Sequence, residues 1–436
     1  MQKIINPNRN EWEKLTQRPI VEQAALSDTV NRIFAEIKID GDKAVKKYSH
    51  FFDKVDMESF AVDKRDIENA AEKVSGKLKG AIQLAKVNIE KFHAAQKEAA
   101  AVTETTSGVK CWRESRGIGI VGIYIPGGTA PLFSTVLMLG IPAKLAGCKK
   151  IVLFTPPDKN GAIDPAILYT ASLVGITTVF CVGGIQAIAA MTFGTESIPK
   201  VDKIFGPGNQ YVTAAKQAAQ HFGVAIDMPA GPSEVLIIAD NSCNPAFVAA
   251  DLLSQAEHGE DSQVILLSDD ETVVDKTLSA LQQQLKVLPR IAIAGKALLN
   301  SKAIVLKDIP ACVEFSNRYA PEHLILAIND AHKTVPDISA AGSVFLGNYS
   351  CESAGDYASG TNHTLPTNGY ARSYSGVSLD SFVTKITFQE LSDEGIRNIG
   401  PAIELMAEAE QLFAHRNAVA LRLESLAKGS EAHKTW

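Results

Sequence analysis

From Gly117 onward the chain alternates two textures: short runs of Ile, Val, Leu and Phe that stop at Gly or Pro, and longer stretches with apolar residues three and four apart. The short runs predict strands and the periodic stretches predict helices. Expected strands are Gly119 to Ile125, Lys150 to Thr155, Thr177 to Val182 and Val201 to Phe205. Helices are expected at Pro131 to Ala146, Asp164 to Val174, Ile185 to Phe193 and Asn209 to His221. A second series places strands at Glu234 to Ala239, Gln263 to Leu267, Ala303 to Leu306, Leu324 to Ala327 and Ser343 to Leu346, with helices between. Strand and helix in alternation imply crossover connections and hence parallel sheets. The fold class expected is α/β, with two doubly wound, incomplete Rossmann-like βα domains and helical N-terminal and C-terminal elements.

The flanks read differently. Val21 to Ile39 and Asp63 to Ala100 are rich in Ala, Lys, Glu and Leu at helical spacing, and Glu394 to Lys428 is amphipathic in the same way. Between Gly347 and about Ser378 lies a long stretch rich in Ser, Gly, Thr and Asn, a length at which loops usually carry function. The division expected is a helical element over 1–110, a first βα domain over 111–233, a second over 234–377 and a helical dimerisation tail over 378–436.

Composition narrows the class. A length of 436 residues, 46% hydrophobic and 21% charged, fits a globular chain of several units. The net charge of −6, from 43 basic and 49 acidic residues, includes no concentrated run of either sign, so no nucleic-acid partner is expected. Pro126, Gly127, Gly128, Pro131, Gly140 and Pro142 interrupt the most apolar region, so no membrane span is expected. The start, MQKIINPNRNEWEKL, lacks the apolar core of a secretory signal and carries acidic residues, so a cytoplasmic location is expected. Cys111, Cys148, Cys181, Cys243, Cys312 and Cys351 are scattered without a CxxC, which fits reduced thiols.

Three turns are candidates for holding a nucleotide. Gly117, Gly119 and Gly122 match GxGxxG, but they lie within an apolar β-like run and open no helix, so that match is rejected. The better turns are Pro126-Gly127-Gly128-Thr129, Gly183-Gly184 and Gly206-Pro207-Gly208-Asn209, each placed between a strand and a helix. Glycine lets the backbone approach a phosphate, and the helix start offers free N–H groups. Tyr124, Gln186 and Asn209 lie on or beside these turns, and the alternative is that the glycines only end strands.

The polar candidates cluster elsewhere. In DLLSQAEHGED, Asp251, Ser254, Gln255 and His258 recur at three and four apart, giving one stripe on a helix that ends near Gly259. An amide oxygen and an imidazole can ligate a divalent ion, yet two groups do not complete a shell. Glu322 and His323 follow Pro321 at the mouth of a strand, where a carboxylate and an imidazole suit proton transfer. Asp356 and His363 lie in the long loop, and Glu410 and His415 on the C-terminal helix. Each of these has a plain surface or packing alternative, so their combination carries the reading.

Taken together, FSTVLMLG, VGGIQ ending at Gln186, KIFGPGN, DMPAGPSEVL, DLLSQAEHG, PEHLI, AGSVFLG and ESAGDYASGTNH resemble the histidinol dehydrogenase family from about residue 110 to 420. The resemblance implies an NAD-dependent alcohol and aldehyde dehydrogenase, EC 1.1.1.23, that takes L-histidinol through L-histidinal to L-histidine. It implies Zn2+ held by Gln255, His258, Asp356 and His415, the last from the other subunit of a homodimer with shared active sites. It further implies substrate contacts from Ser233, Gln255, His258, His323, Asp356, Glu410 and His415, and NAD contacts from Tyr124, Gln186 and Asn209. His323 would take the alcohol proton and Glu322 would activate water. Competing readings are a zinc hydrolase without nicotinamide, a cysteine nucleophile such as Cys351, and a two-lobed binding protein.

Overall fold

The computed structural model describes residues 1–18, 24–127 and 131–432. The first three residues of the helix expected from Val21, and Gly128 and Thr129 of the first glycine turn, lie outside the described residues. Among the described residues the strands are β1 (Gln2–Ile5), β2 (Thr103–Thr106), β3 (Val109–Gly117), β4 (Ile120–Tyr124), β5 (Lys150–Thr155), β6 (Thr178–Cys181), β7 (Lys203–Phe205), β8 (Ala225–Ile226), β9 (Glu234–Ala239), β10 (Gln263–Ser268), β11 (Lys302–Val305), β12 (His323–Ala327), β13 (Ser343–Leu346) and β14 (Val383–Leu391).

The chain gathers into two compact units, one from residues 1–96 with 118–382, the other from 97–117 with the chain from Val383 onward. The first unit holds two parallel sheets. One has the order β6-β5-β4-β7-β8, the other β1-β11-β10-β9-β12-β13. From β4 in one sheet and β9 in the other the chain winds outward one way and then crosses back, so strand order reverses between β4 and β7 and between β9 and β12, while β1 adds to the outer edge of the second sheet. Both sheets thus show the doubly wound pattern that the alternating texture predicts. Their strands are nearly continuous apolar runs because helices cover both faces. In β9 all six residues, EVLIIA, are buried, the glutamate included.

The sequence division differs from the structure at both flanks. β1 lies inside the segment expected to be helical and pairs in parallel with β11, about three hundred positions away. The helix expected from Asp63 to Ala100 is two helices, Lys64–Lys73 and Gly76–Ala94, separated where Ser75 accepts from Leu78 N–H as a new N-cap. In the second unit β14, within the segment expected to be a helical tail, pairs antiparallel with β3, which also pairs with β2. The long C-terminal helix is likewise two, Asp393–Ala409 and Phe413–Ala432, with Gln411 between them at φ 59°. All six cysteines are free thiols. No helix among the described residues is long and apolar enough to cross a membrane.

Candidate active site

The site is built at the amino edge of the second sheet. β9 and β12 are parallel neighbours at the reversal of strand order, with His323 opposite Val235, so Ser233, Glu234, Glu322 and His323 share one edge. The helix after β9, Pro245–Ala256, runs back along the sheet. Its twelve residues span roughly 18 Å, close to the roughly 20 Å of the six-residue strand. Gln255 and His258, at and just past its C-terminus, are thereby returned to the edge where β9 began.

Glu234 links these groups. Its backbone N–H donates to Glu322 Oε2 at 2.8 Å, and its carbonyl oxygen lies 3.2 Å from His323 Nδ1. His323 is 2% exposed, and its Nδ1 also stands 3.3 Å from Gln255 Nε2. A carbonyl only accepts, so it holds a proton on Nδ1 and leaves Nε2 as the nitrogen that can give or take one. That Nε2 is buried without a hydrogen-bond partner, 3.5 Å from Asp356 Oδ1. Gln255 Oε1 is also buried without a partner. Ser233 Oγ lies 3.2 Å from Nδ1 of the exposed His258.

The loop after β13 completes the group through the short helix Glu352–Tyr357. His363 Nδ1 donates to the Asp356 carbonyl at 3.0 Å, and its Nε2 lies 3.1 Å from Thr135 Oγ1. Asn88 Nδ2 donates to Ala358 O, and Asn362 Nδ2 to Met138 O, so helices on the first sheet's side of this unit hold the loop. Burial pushes the Glu352 carboxyl up to about 8, against the pull of His323, and Asp251 up to about 7. Burial would raise Asp356 too, but His323, His363 and His258 hold it below an ordinary carboxylate. Burial alone would lower His323, and Glu322, Asp356 and Glu352 outweigh it and hold the imidazole well above its usual range. The cluster is therefore rich in acceptors around an unpartnered amide oxygen. Among the described residues no group of three or more His, Cys, Asp or Glu side chains is arranged to hold a metal ion by itself.

A second concentration of polar groups lies at the carboxyl edge of the first sheet. Tyr124, ending β4, accepts from Gly184 N–H through its hydroxyl at 3.0 Å, and burial pushes the phenol up to about 12. Gln186 is fully buried; its Nε2 donates to Asp53 Oδ2 at 3.3 Å while Oε1 has no partner. Asn209 caps the helix Gln210–Gln220, accepting from Tyr211 and Val212 N–H. Gly206, at φ 128°, passes so close to β4 that a Cβ there would meet Tyr124 O at 2.1 Å, so only glycine fits. Gly117 and Gly122 lie in strands, which agrees with rejecting the GxGxxG match.

Burial raises the Asp53 carboxyl from 3.8 to about 6, with Gln186 pulling the other way. The folded chain therefore holds more protons here than the unfolded one between those values, and this residue's contribution is fully present below the lower value and lost as pH rises through the upper. Asp53→Asn keeps an acceptor for Gln186, so the ligand-free variant is expected to lose less stability than the parent across that window. Urea midpoints measured at pH 4 to 7 check this; parallel profiles would contradict it.

A model of histidinol dehydrogenase matches residues 16–423. The chain belongs to the histidinol dehydrogenase family. Histidinol dehydrogenase from Bacteroides fragilis is 57% identical over 428 residues, covering 98% of this chain and 100% of that one. Its counterpart from Escherichia coli O6:H1 is 53% identical, with 95% of each chain covered. The crystal structure of histidinol dehydrogenase from Elizabethkingia anophelis superposes with a TM-score of 0.96 at 64% identity, covering 98% of this chain and 99% of that one. The chain is an oxidoreductase with a role in histidine biosynthesis, which sets aside the hydrolase and binding-protein readings.

Of the site residues expected from histidinol dehydrogenase, the first unit brings together Ser233, Gln255, His258, Glu322, His323 and Asp356, and separately Tyr124 with Gln186. Glu410 and His415 lie in the second unit, exposed on either side of the break between its two helices. The sequence reading missed Arg18, Asp53, Glu234 and Glu352. Glu234 had a signal, a charge heading an otherwise apolar strand; Arg18 had none, being 216 positions from its partner.

Proposed function

We propose that this chain oxidises L-histidinol to L-histidine through L-histidinal, using two NAD molecules in succession and one zinc ion per subunit, as a cytoplasmic homodimer with shared active sites. The observation that carries it is the fixing of Glu322 and His323 on the main chain of one residue, Glu234, beside Gln255 and Asp356.

The residues fit the metal. Gln255 Oε1 is an orphaned buried acceptor, and an amide oxygen, an imidazole and a carboxylate are donors that zinc accepts. Gln255, His258 and Asp356 would hold it, with His415 from a second copy of the chain. Bound there, zinc would orient the imidazole and amino nitrogens of the substrate. Ser233, His323 and Glu410 would add contacts to the same molecule. The apolar side chains exposed on the two C-terminal helices, Leu405, Met406, Phe413 and Leu421, suit a face that pairs with another copy. At the first sheet, Gln186 Oε1 and the glycine-bared backbone at Gly206 fit NAD, which supplies the hydride acceptor, with Tyr124 and Asn209 beside them.

His323 takes the alcohol proton at Nε2, its other nitrogen being held by the Glu234 carbonyl. Glu322 then takes a proton from the water that adds to the aldehyde, while His323 returns its own proton to the aldehyde oxygen, which gives the hydrate and frees Nε2 to act as base again. His323 removes the proton of the resulting hydrate hydroxyl, so the carboxylic acid forms as the second hydride leaves. Each hydride reduces one NAD, and the oxygen gained comes from water. A zinc-supplemented assay with L-histidinol and NAD is expected to give two NADH per substrate consumed. One NADH per substrate, with aldehyde accumulating, would overturn the four-electron reading.

A further inference from the structure

Glu234 makes no use of its side chain in the chemistry above, yet it is 2% exposed and carries a charge. Its partner is Arg18. The guanidinium meets the carboxylate in a fork, Nε to Oε1 at 2.5 Å and Nη2 to Oε2 at 2.9 Å. Arg18 Nη2 also donates to Tyr319 O at 2.8 Å, and the guanidinium carbon stands 3.9 Å over the Tyr319 ring. Asn368 N–H donates to Glu234 Oε1 at 2.9 Å, presented by a turn in which Asn368 has φ 54° and Gly369 φ 74°. Two separate segments therefore bond one carboxylate, the N-terminal one at Arg18 and the loop after β13 at Asn368, and the end of the helix before β12 holds the guanidinium in place.

The main chain of that same residue makes the two bonds that set the catalytic pair, N–H to Glu322 and C=O to His323. The main chain at the first residue of a strand has fewer ladder bonds to hold it than in the middle. Here the side chain supplies the missing restraint. A bidentate charge-assisted fork constrains direction as well as distance, and buried stability alone is a weak reason for such a pair, since apolar replacements are often as stable.

We infer that the Arg18–Glu234 pair is a positioning device for the reaction: it fixes the main chain on both sides of the Glu234 Cα and thereby the spacing of Glu322 and His323. Arg18 and Glu234 are positioning residues, acting through the two that touch substrate. The inference rests on the function proposed above, because it takes the proton-transfer roles of Glu322 and His323 from it.

The test compares the zinc-loaded parent with Arg18→Met, each assayed with L-histidinol and separately with L-histidinal. Displacing a catalytic group by about 1 Å costs about 100-fold in rate, and that fall in kcat is expected with both substrates, since both proton-transfer groups hang on the main chain of one residue. KM for each substrate and zinc per chain are expected to stay near parental values. Arg9→Met is the control: it breaks an exposed ion pair with Glu314 on the same N-terminal segment and touches neither Glu234 nor Arg18, so kcat is expected to be unchanged. Parental kcat in folded, zinc-loaded Arg18→Met would overturn the inference, as would a raised KM with kcat retained. If Arg18→Met does not fold, Glu234→Gln decides, because it keeps the shape and the acceptor for Asn368 while weakening the fork; a kcat fall of about tenfold with both substrates is expected, and no fall overturns the inference. A parent that does not oxidise L-histidinol at all would instead bring down the proposed function.

Discussion

Glu322→Gln is expected to leave conversion of L-histidinol to the aldehyde within a few-fold of the parent while slowing oxidation of the aldehyde by about 10²- to 10⁴-fold, the usual worth of a general base. In the proposed reaction only the second half consumes water, so only that half would need Glu322 as a base. The structure makes the substitution a clean one. Glu322 Oε2 accepts from Glu234 N–H, and a glutamine can keep that bond with its amide oxygen, so the side chain should stay where it is. His323 keeps its own anchor on the Glu234 carbonyl, which the substitution does not touch. Feeding L-histidinal directly in single-turnover experiments separates the halves, because steady-state kcat reports only the slower one. Equal losses in both halves would mean that Glu322 serves the site through its charge or its packing and not as the base for water.

How far the sequence could be read depended on whether the signal was local. Glu234 to Ala239 and Ser343 to Leu346 are strands with the bounds expected from apolar runs closed by turn residues. β14, VTKITFQEL, has the alternation of a half-exposed strand, but it stands next to a strongly helical segment and its partner β3 is more than 260 positions earlier. β1 is four residues long and is fixed only by the edge of β11. Such non-local pairings leave little trace in either segment alone. The site shows the same divide. Gln255 and His258 were placed on one side by helical spacing, and Glu322 and His323 at a strand mouth by sequence order. What could not be read was that a helix as long as its strand returns Gln255 to the amino edge, opposite to the edge where ligands of open α/β sheets usually lie. Tyr124, Gln186 and Gly206 occupy that usual edge in the first sheet. The histidinol dehydrogenase resemblance supplied the grouping, and the hydrogen bonds of Glu234 supply its physical cause.

Stripping the protein with a chelator is expected to abolish oxidation of L-histidinol, and zinc to restore it, with the largest loss of any treatment considered. The reason lies in Gln255. Its amide oxygen is a buried acceptor without a donor, a state that costs about 1–3 kcal/mol when nothing binds it. Beside it Asp356 is held ionised by His323, His363 and His258. A cation would satisfy both groups at once. Gln255→Ala is therefore expected to lower zinc retained per chain after dialysis as well as activity, and Gln255→Glu to retain zinc, since it keeps an oxygen donor of the right length. Metal content read by elemental analysis gives an outcome independent of turnover. Full zinc retention in Gln255→Ala would remove that residue from the metal shell, and full activity in rigorously metal-free protein would remove the metal from the reaction. The proposed shell draws only Gln255, His258 and Asp356 from one chain, so His415→Ala is the companion measurement: it should lower zinc retention as well, although His415 lies in the other compact unit. Mixing His415→Ala chains with Gln255→Ala chains then tests whether sites are shared. If they are, hybrid dimers carry one intact site and regain part of the activity that neither variant has alone.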